Sequence, residues 1–192
     1  MIIEYWGRAS VRRSLLLACL LLMPVTAGCV VPPSPDSSGP PVAEVLPADA
    51  RALVYGRSAS EVLDNPQLRD KVRALFGADW APPSPGVGKL TLAAPVYFER
   101  GGPLRMVHIG NADYIAITGC AAQDCAGRRG LLLVREGGEQ LMARLDEGGF
   151  SHHYAYGPDV VGGPAGAAVV LDSALRALVR ASNGSPFPRP GS

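Results

Sequence analysis

Lysine is nearly missing from this chain of 192 residues: of 18 cationic side chains only Lys71 and Lys89 are Lys, and the rest are Arg. The acidic side chains number 17 and no basic cluster interleaved with aromatics occurs, so the electrostatic footprint of a nucleic-acid binder is absent from the sequence. The four cysteines never form a Cys-x-x-Cys pair, which argues against a redox dithiol and, without further ligands at tetrahedral spacing, against zinc. The glycine-rich stretch 161–166 (VGGPAG) has no Lys-Ser/Thr to make a phosphate loop and reads as a turn. No cofactor and no metal are expected. The longest apolar run, 15–23 (LLLACLLLM), is too short for a membrane span and is broken by Pro24.

That run has another use. Arg8, Arg12 and Arg13 precede it and the small residues Thr26, Ala27 and Gly28 follow, the order of a secretory signal over residues 1–28. The segment Thr26-Ala27-Gly28-Cys29 resembles the bacterial lipobox, usually Leu-Ala-Gly-Cys, and the resemblance implies that Cys29 is lipidated and heads the mature chain. The alternative is an ordinary cleaved signal in which Cys29 is incidental. Val30 in place of Asp after the cysteine, by resemblance to enteric lipoproteins, implies an outer-membrane protein, lipid-anchored and facing the periplasm. Loss of residues 1–28 removes three Arg and one Glu, which leaves 15 cationic against 16 acidic side chains, a formal charge of −1. Residues 29–48 are rich in Pro and Ser (VPPSPDSSGPPVAEVLP over 31–47) and read as an extended tether.

Cysteine usage agrees with export. Cys19 leaves with the signal and Cys29 takes the lipid, so Cys120 and Cys125 remain, both within 119–129 (GCAAQDCAGRR). In an oxidising compartment they should form a disulfide. So short a closed loop restricts the unfolded chain by only about 2 kcal/mol. Its larger consequence is the shape of the tip.

Residues 49–183 make one domain with apolar residues enough for a core, followed by a flexible tail, 184–192. A helix is expected over 65–76, with Asn65 as cap, Pro66 in the first turn, a stripe of Leu68, Val72, Leu75 and Phe76, and Gly77 as the stop. Trp80 reads as a core or edge anchor. Strands are expected at 95–100, 104–109, 114–118, 131–135, 140–145 and 150–156, punctuated by glycine-bearing turns too brief for parallel crossovers. A second helix, 172–181, takes Asp172 as cap and Leu175, Leu178 and Val179 as its face. The fold class is α+β: an antiparallel meander of about five to six strands packed with an N-terminal and a C-terminal helix.

This order of parts, with Trp80 after the first helix and a C-x-x-x-x-C loop within the meander, resembles the family of bacterial inhibitors of vertebrate lysozyme over about 59–181. In that family the loop usually reads Cys-Lys-Pro-His-Asp/Asn-Cys, and its His enters the lysozyme cleft between two catalytic carboxyl groups, one protonated and one ionised. The resemblance implies that Ala121, Ala122, Gln123 and Asp124 form the partner-binding loop and that a lysozyme-type glycoside hydrolase is the partner. Asp124 and both cysteines match, whereas Gln123 stands in the position of the His and Ala121 and Ala122 in those of Lys and Pro. An amide cannot become cationic, so inhibition weakened about tenfold or more is expected, and restoring Lys and Pro should strengthen it. The other reading is an envelope lipoprotein of the same fold with a structural or unknown partner. A homodimer is left open.

An enzyme is not expected. His152 and His153, near Asp146, Glu147 and Asp159, are adjacent in a strand and therefore point to opposite faces, which prevents both from chelating one ion. His108 reads as a structural His, and Ser151 beside His152 signals no nucleophile and base.

Overall fold

Leu131, Leu132, Leu133 and Val134 are consecutive, apolar and all buried, a pattern produced by a strand covered on both faces. The computed structural model describes residues 39–81, 90–158, 160 and 162–189. The signal, Cys29, most of the tether and Asp159 lie outside the described residues. The strands are β1 (Ala43–Val45), β2 (Arg100–Gly101), β3 (Arg105–Ile109), β4 (Ala112–Ala121), β5 (Asp124–Arg135), β6 (Leu141–Glu147) and β7 (Phe150–Tyr156). They form one antiparallel sheet in the order β1-β3-β4-β5-β6-β7, with β2 pairing β4 beyond the end of β3.

The helices α1 (Ala59–Asp64), α2 (Arg69–Phe76) and α3 (Gly163–Ala181) cover the two faces. On one face, Met106, Ile115, Ile117, Leu132 and Leu145 pack with Val62 of α1, Val72 and Phe76 of α2, and Tyr97 and Phe98. On the other, Val107, Ile109, Leu131, Leu133 and Met142 pack with Ala167, Leu171, Ala174 and Leu178 of α3. The spacing of those four α3 residues puts them on one stripe, and each large side chain so buried contributes about 1.5–3 kcal/mol. The α+β class is therefore correct, and helices lie on both sides of the sheet.

Several expectations are corrected. Residues 94–98 are not a strand but a 3-10 helix, Ala94–Phe98, because Pro95 sits in its first turn, where a missing N–H costs nothing. The ordered domain begins before residue 49: β1 lies inside the expected tether, its Glu44 paired with His108 and its Val45 with Val107. The first helix is shorter than expected. Asn65 closes α1 instead, its Oδ1 accepting from Gln67 N at 2.8 Å and its Nδ2 donating to Tyr55 O at 2.9 Å. The last helix starts at Gly163, with Pro164 in its first turn, so 161–166 is only in part a turn. Asp172 is consequently no cap but a mid-helix carboxylate receiving Arg144 Nη1 at 2.5 Å. The tail is anchored as far as it is described: Phe187 is 8% exposed, and Pro186 O accepts from Thr118 Oγ1 at 3.0 Å.

Candidate partner-binding loop

β4 and β5 outrun their neighbours and carry the loop at their shared end. Their register is regular through Gly119 opposite Gly130 and Cys120 opposite Arg129, then shifts so that Ala121 faces Asp124. Cys120 and Cys125 are bridged across the shift with Cα atoms 4.8 Å apart, so the expected disulfide is present. Residues 125–128 thus bulge out of the ladder on the β5 side. Asp124 ties the bulge, its Oδ1 accepting from Gly127 N at 2.9 Å. A Cβ at Gly127 would stand 2.6 Å from that carboxylate, so a larger residue there would push the Asp124 side chain aside.

Two more glycines position the loop from below. Gly119 and Gly130 face each other and leave a notch that Phe98 fills: a Cβ would stand 2.7 Å from Phe98 Cα at Gly119 and 2.7 Å from the Phe98 ring at Gly130. Phe98 ends the 3-10 helix, and the next residue, Glu99, reaches the loop. Its Oε2 accepts from Ala122 N at 3.0 Å. The sequence offers no local sign of this contact, because it depends on a fit between residue 98 and two glycines on other strands.

Of the four expected loop residues, Ala121 is 2% exposed and faces no partner. Ala122 and Gln123 are exposed and Asp124 is half-buried. The presented tip is thus narrower than expected, and its outward polar side chain is Gln123. Lys at 121 would enter a buried position, and Pro at 122 would remove the N–H that holds Glu99.

Beside the loop lies an open depression of about 590 Å³ lined by Thr91, Asp124, Arg128, Glu147, Phe150 and His152. Glu147 is its electrostatic anchor. Burial pushes its carboxyl up, but donation from Thr91 Oγ1, Arg128 Nε at 2.9 Å and Thr91 N at 3.0 Å outweighs burial and holds it down at about 2. Glu147 is therefore a fixed anion matched by Arg128, whose Nη1 also lies 3.7 Å from Asp124 of the loop. Phe150, 74% exposed at the β6 to β7 turn, is the apolar element of this surface. Sequence reasoning passed over Glu99, Arg128 and Phe150. The exposed aromatic beside Gly148 and Gly149 was the one available signal.

His152 lines this depression and shares a second open one, of about 580 Å³, with His153, Asp79 and Pro164, while His153 Nε2 is buried without a hydrogen-bond partner among the described residues. Burial, then the charge of Arg144, hold His153 below its ordinary value. Asp146 accepts from Ser151 Oγ at 2.7 Å and Arg144 Nε at 2.8 Å, so Ser151 donates to a carboxylate and not to His152. Among the described residues no group of three His, Cys, Asp or Glu could hold a metal ion, and no helix is long and apolar enough to cross a membrane.

No family model, curated protein or solved structure matches this chain.

Proposed function

We propose that the chain is an exported lipoprotein, anchored through Cys29 to the outer membrane and facing the periplasm, whose Cys120–Cys125 tip enters the cleft of a lysozyme-type glycoside hydrolase. One observation carries this reading: a covalently closed tip that presents two exposed residues, Ala122 and Gln123, on a stem rooted in the core. Rigid projections bind with little loss of conformational freedom. In a cleft holding one protonated and one ionised carboxyl group, the Gln123 amide donates to the anion and accepts from the acid. Binding is weaker than with an imidazolium, since the amide's bond to the ionised carboxyl group is charge-assisted from one side only and lacks the attraction between two opposite charges.

Glu99 favours a second reading, an envelope lipoprotein of this fold that inhibits nothing. Its carboxylate, held against Ala122 N, would meet the cleft's own carboxylates. The two readings separate in a lysozyme turbidity assay on cell walls using the soluble chain from residue 38, ahead of β1. Under the first, Gln123→His strengthens inhibition about tenfold, Glu99→Gln adds to it by removing a like charge, and the histidine's gain fades as pH rises well past about 6.5. No inhibition by the parent or either variant, with circular dichroism unchanged, establishes the second. The anchor is tested separately: a labelled fatty acid should tag the chain, and equal labelling of Cys29→Ser would exclude lipidation at that cysteine.

A further inference from the structure

After α3 the chain reverses through Asn183 (φ 52°) and Gly184 (φ 147°) and runs back across the stem of the β4 to β5 hairpin. The crossing segment is Ser185-Pro186-Phe187-Pro188-Arg189. Its two prolines fix φ before docking, so little backbone freedom is lost when it lies down. It meets the hairpin at three successive points. Pro186 O accepts from Thr118 Oγ1 at 3.0 Å, with room left by Gly102, where a Cβ would stand 3.3 Å from that carbonyl and 2.4 Å from Thr118 Oγ1. The Phe187 ring is buried with the Arg129 guanidinium 5.1 Å from its centre, within the reach of a cation–π contact. Pro188 O lies 3.1 Å from Cys125 Sγ, a van der Waals contact because a bridged sulfur has no proton to give.

These contacts share a logic. Among the described residues Arg129 Nε is buried with no hydrogen-bond partner, and its Nη2 reaches Asp146 only at 3.9 Å, so the aromatic ring is its close companion on that side. Cys125 is 9% exposed and Cys120 fully buried, with Pro188 against the more accessible sulfur. A cavity of about 330 Å³ between Gly101, Pro103, Arg105 and the segment keeps the groove from being filled to its end.

We propose that Gly102, Thr118, Cys125 and Arg129 form a receptor groove for an extended peptide with an aromatic residue between two prolines, and that the chain's own segment 185–189 is the resident occupant, shielding the disulfide. The proposal does not depend on what the loop binds. A segment joined by a short linker acts at an effective concentration on the order of millimolar, so a free peptide should replace it in that range.

The test compares the chain, a truncation ending at Gly184, and Phe187→Ala in the otherwise whole chain, by the rate at which dithiothreitol reduces the Cys120–Cys125 bridge. Local opening governs that rate, so truncation should raise it about tenfold and Phe187→Ala at least about threefold. Hydrogen exchange in β6 should stay unchanged. A peptide of sequence SPFPRPGS at about millimolar concentration should restore slow reduction to the truncated chain, and the same peptide with Ala for Phe should not. A change under about threefold on truncation overturns the shield. Exchange in β6 rising in step with reduction overturns it too, because the segment is then a general stabiliser. Failure of the peptide to restore protection overturns the groove as a receptor site.

Discussion

β4 ends in two hairpins, and the chain closes them by opposite means. At its start, Gly110 takes the positive φ (64°) of a two-residue turn, and the closure is ionic: His108 Nδ1 lies 2.6 Å from Asp113 Oδ1, whose Oδ2 receives Arg51 Nη1 at 2.8 Å. Arg51 also reaches Asp49 at 2.8 Å and Glu136 at 3.2 Å, and Glu44 faces His108 across the β1 to β3 register. At its end, closure is covalent, with the carboxylates of Glu99 and Asp124 each accepting a loop N–H beside the bridge. An exposed ionic closure answers to pH and salt, and a disulfide answers to reductant.

The largest effect should come from the notch under the covalent end. Gly119→Ala puts a methyl 2.7 Å from the Phe98 backbone, which cannot swing aside as a side chain can. A loss of about 1–3 kcal/mol in urea unfolding is expected, with hydrogen exchange accelerated at 120–128 before the ionic end is affected. A shift near zero would mean that Phe98 does not fix Glu99 and the loop.

Replacing both cysteines by Ala should come next, at about 2 kcal/mol. The sheet should remain and the ionic hairpin should not respond. Loss of the whole fold would show that the bridge holds the core as well as the tip.

The ionic end should give the smallest change, and one that depends on pH. The bond to Asp113, opposed by desolvation, raises the His108 pKa, and the same bond together with Arg51 lowers that of Asp113. The histidine's contribution is complete below its ordinary pKa and disappears as pH rises through the raised value. That of Asp113 is complete above its ordinary pKa and disappears as pH falls through the lowered value. The closure is therefore firmest between the two. An NMR titration of His108 should show its pKa fall toward the ordinary value in Asp113→Asn, while the amide signals of Gln123 and Asp124 stay still. Movement of those signals with His108 would couple the two ends and erase the contrast.

Much of the sheet was legible in the sequence because its turns are short and marked by glycine. The strand 150–156 was read to the residue, and those at 104–109 and 140–145 to within one or two. Residues 94–98 misled because Val96, Tyr97 and Phe98 suit a strand, while Pro95 and the fit of Phe98 into a distant notch decide for a helical turn. α3 began nine residues before its expected start because Gly163 and Gly166 read as punctuation, whereas burial of Ala167 and Leu171 against the sheet outweighs their poor helix propensity.

By itself, then, the sequence determined the antiparallel order of the strands and the pairing of Cys120 with Cys125, because turn length and a separation of five residues are local properties. Tertiary structure alone decided that Glu99 sits under Ala122, that Ala121 faces inward, and that Phe187 lies over Arg129. Each of those joins residues more than twenty positions apart in the chain or depends on which face a neighbour covers, and no local pattern encodes such a meeting.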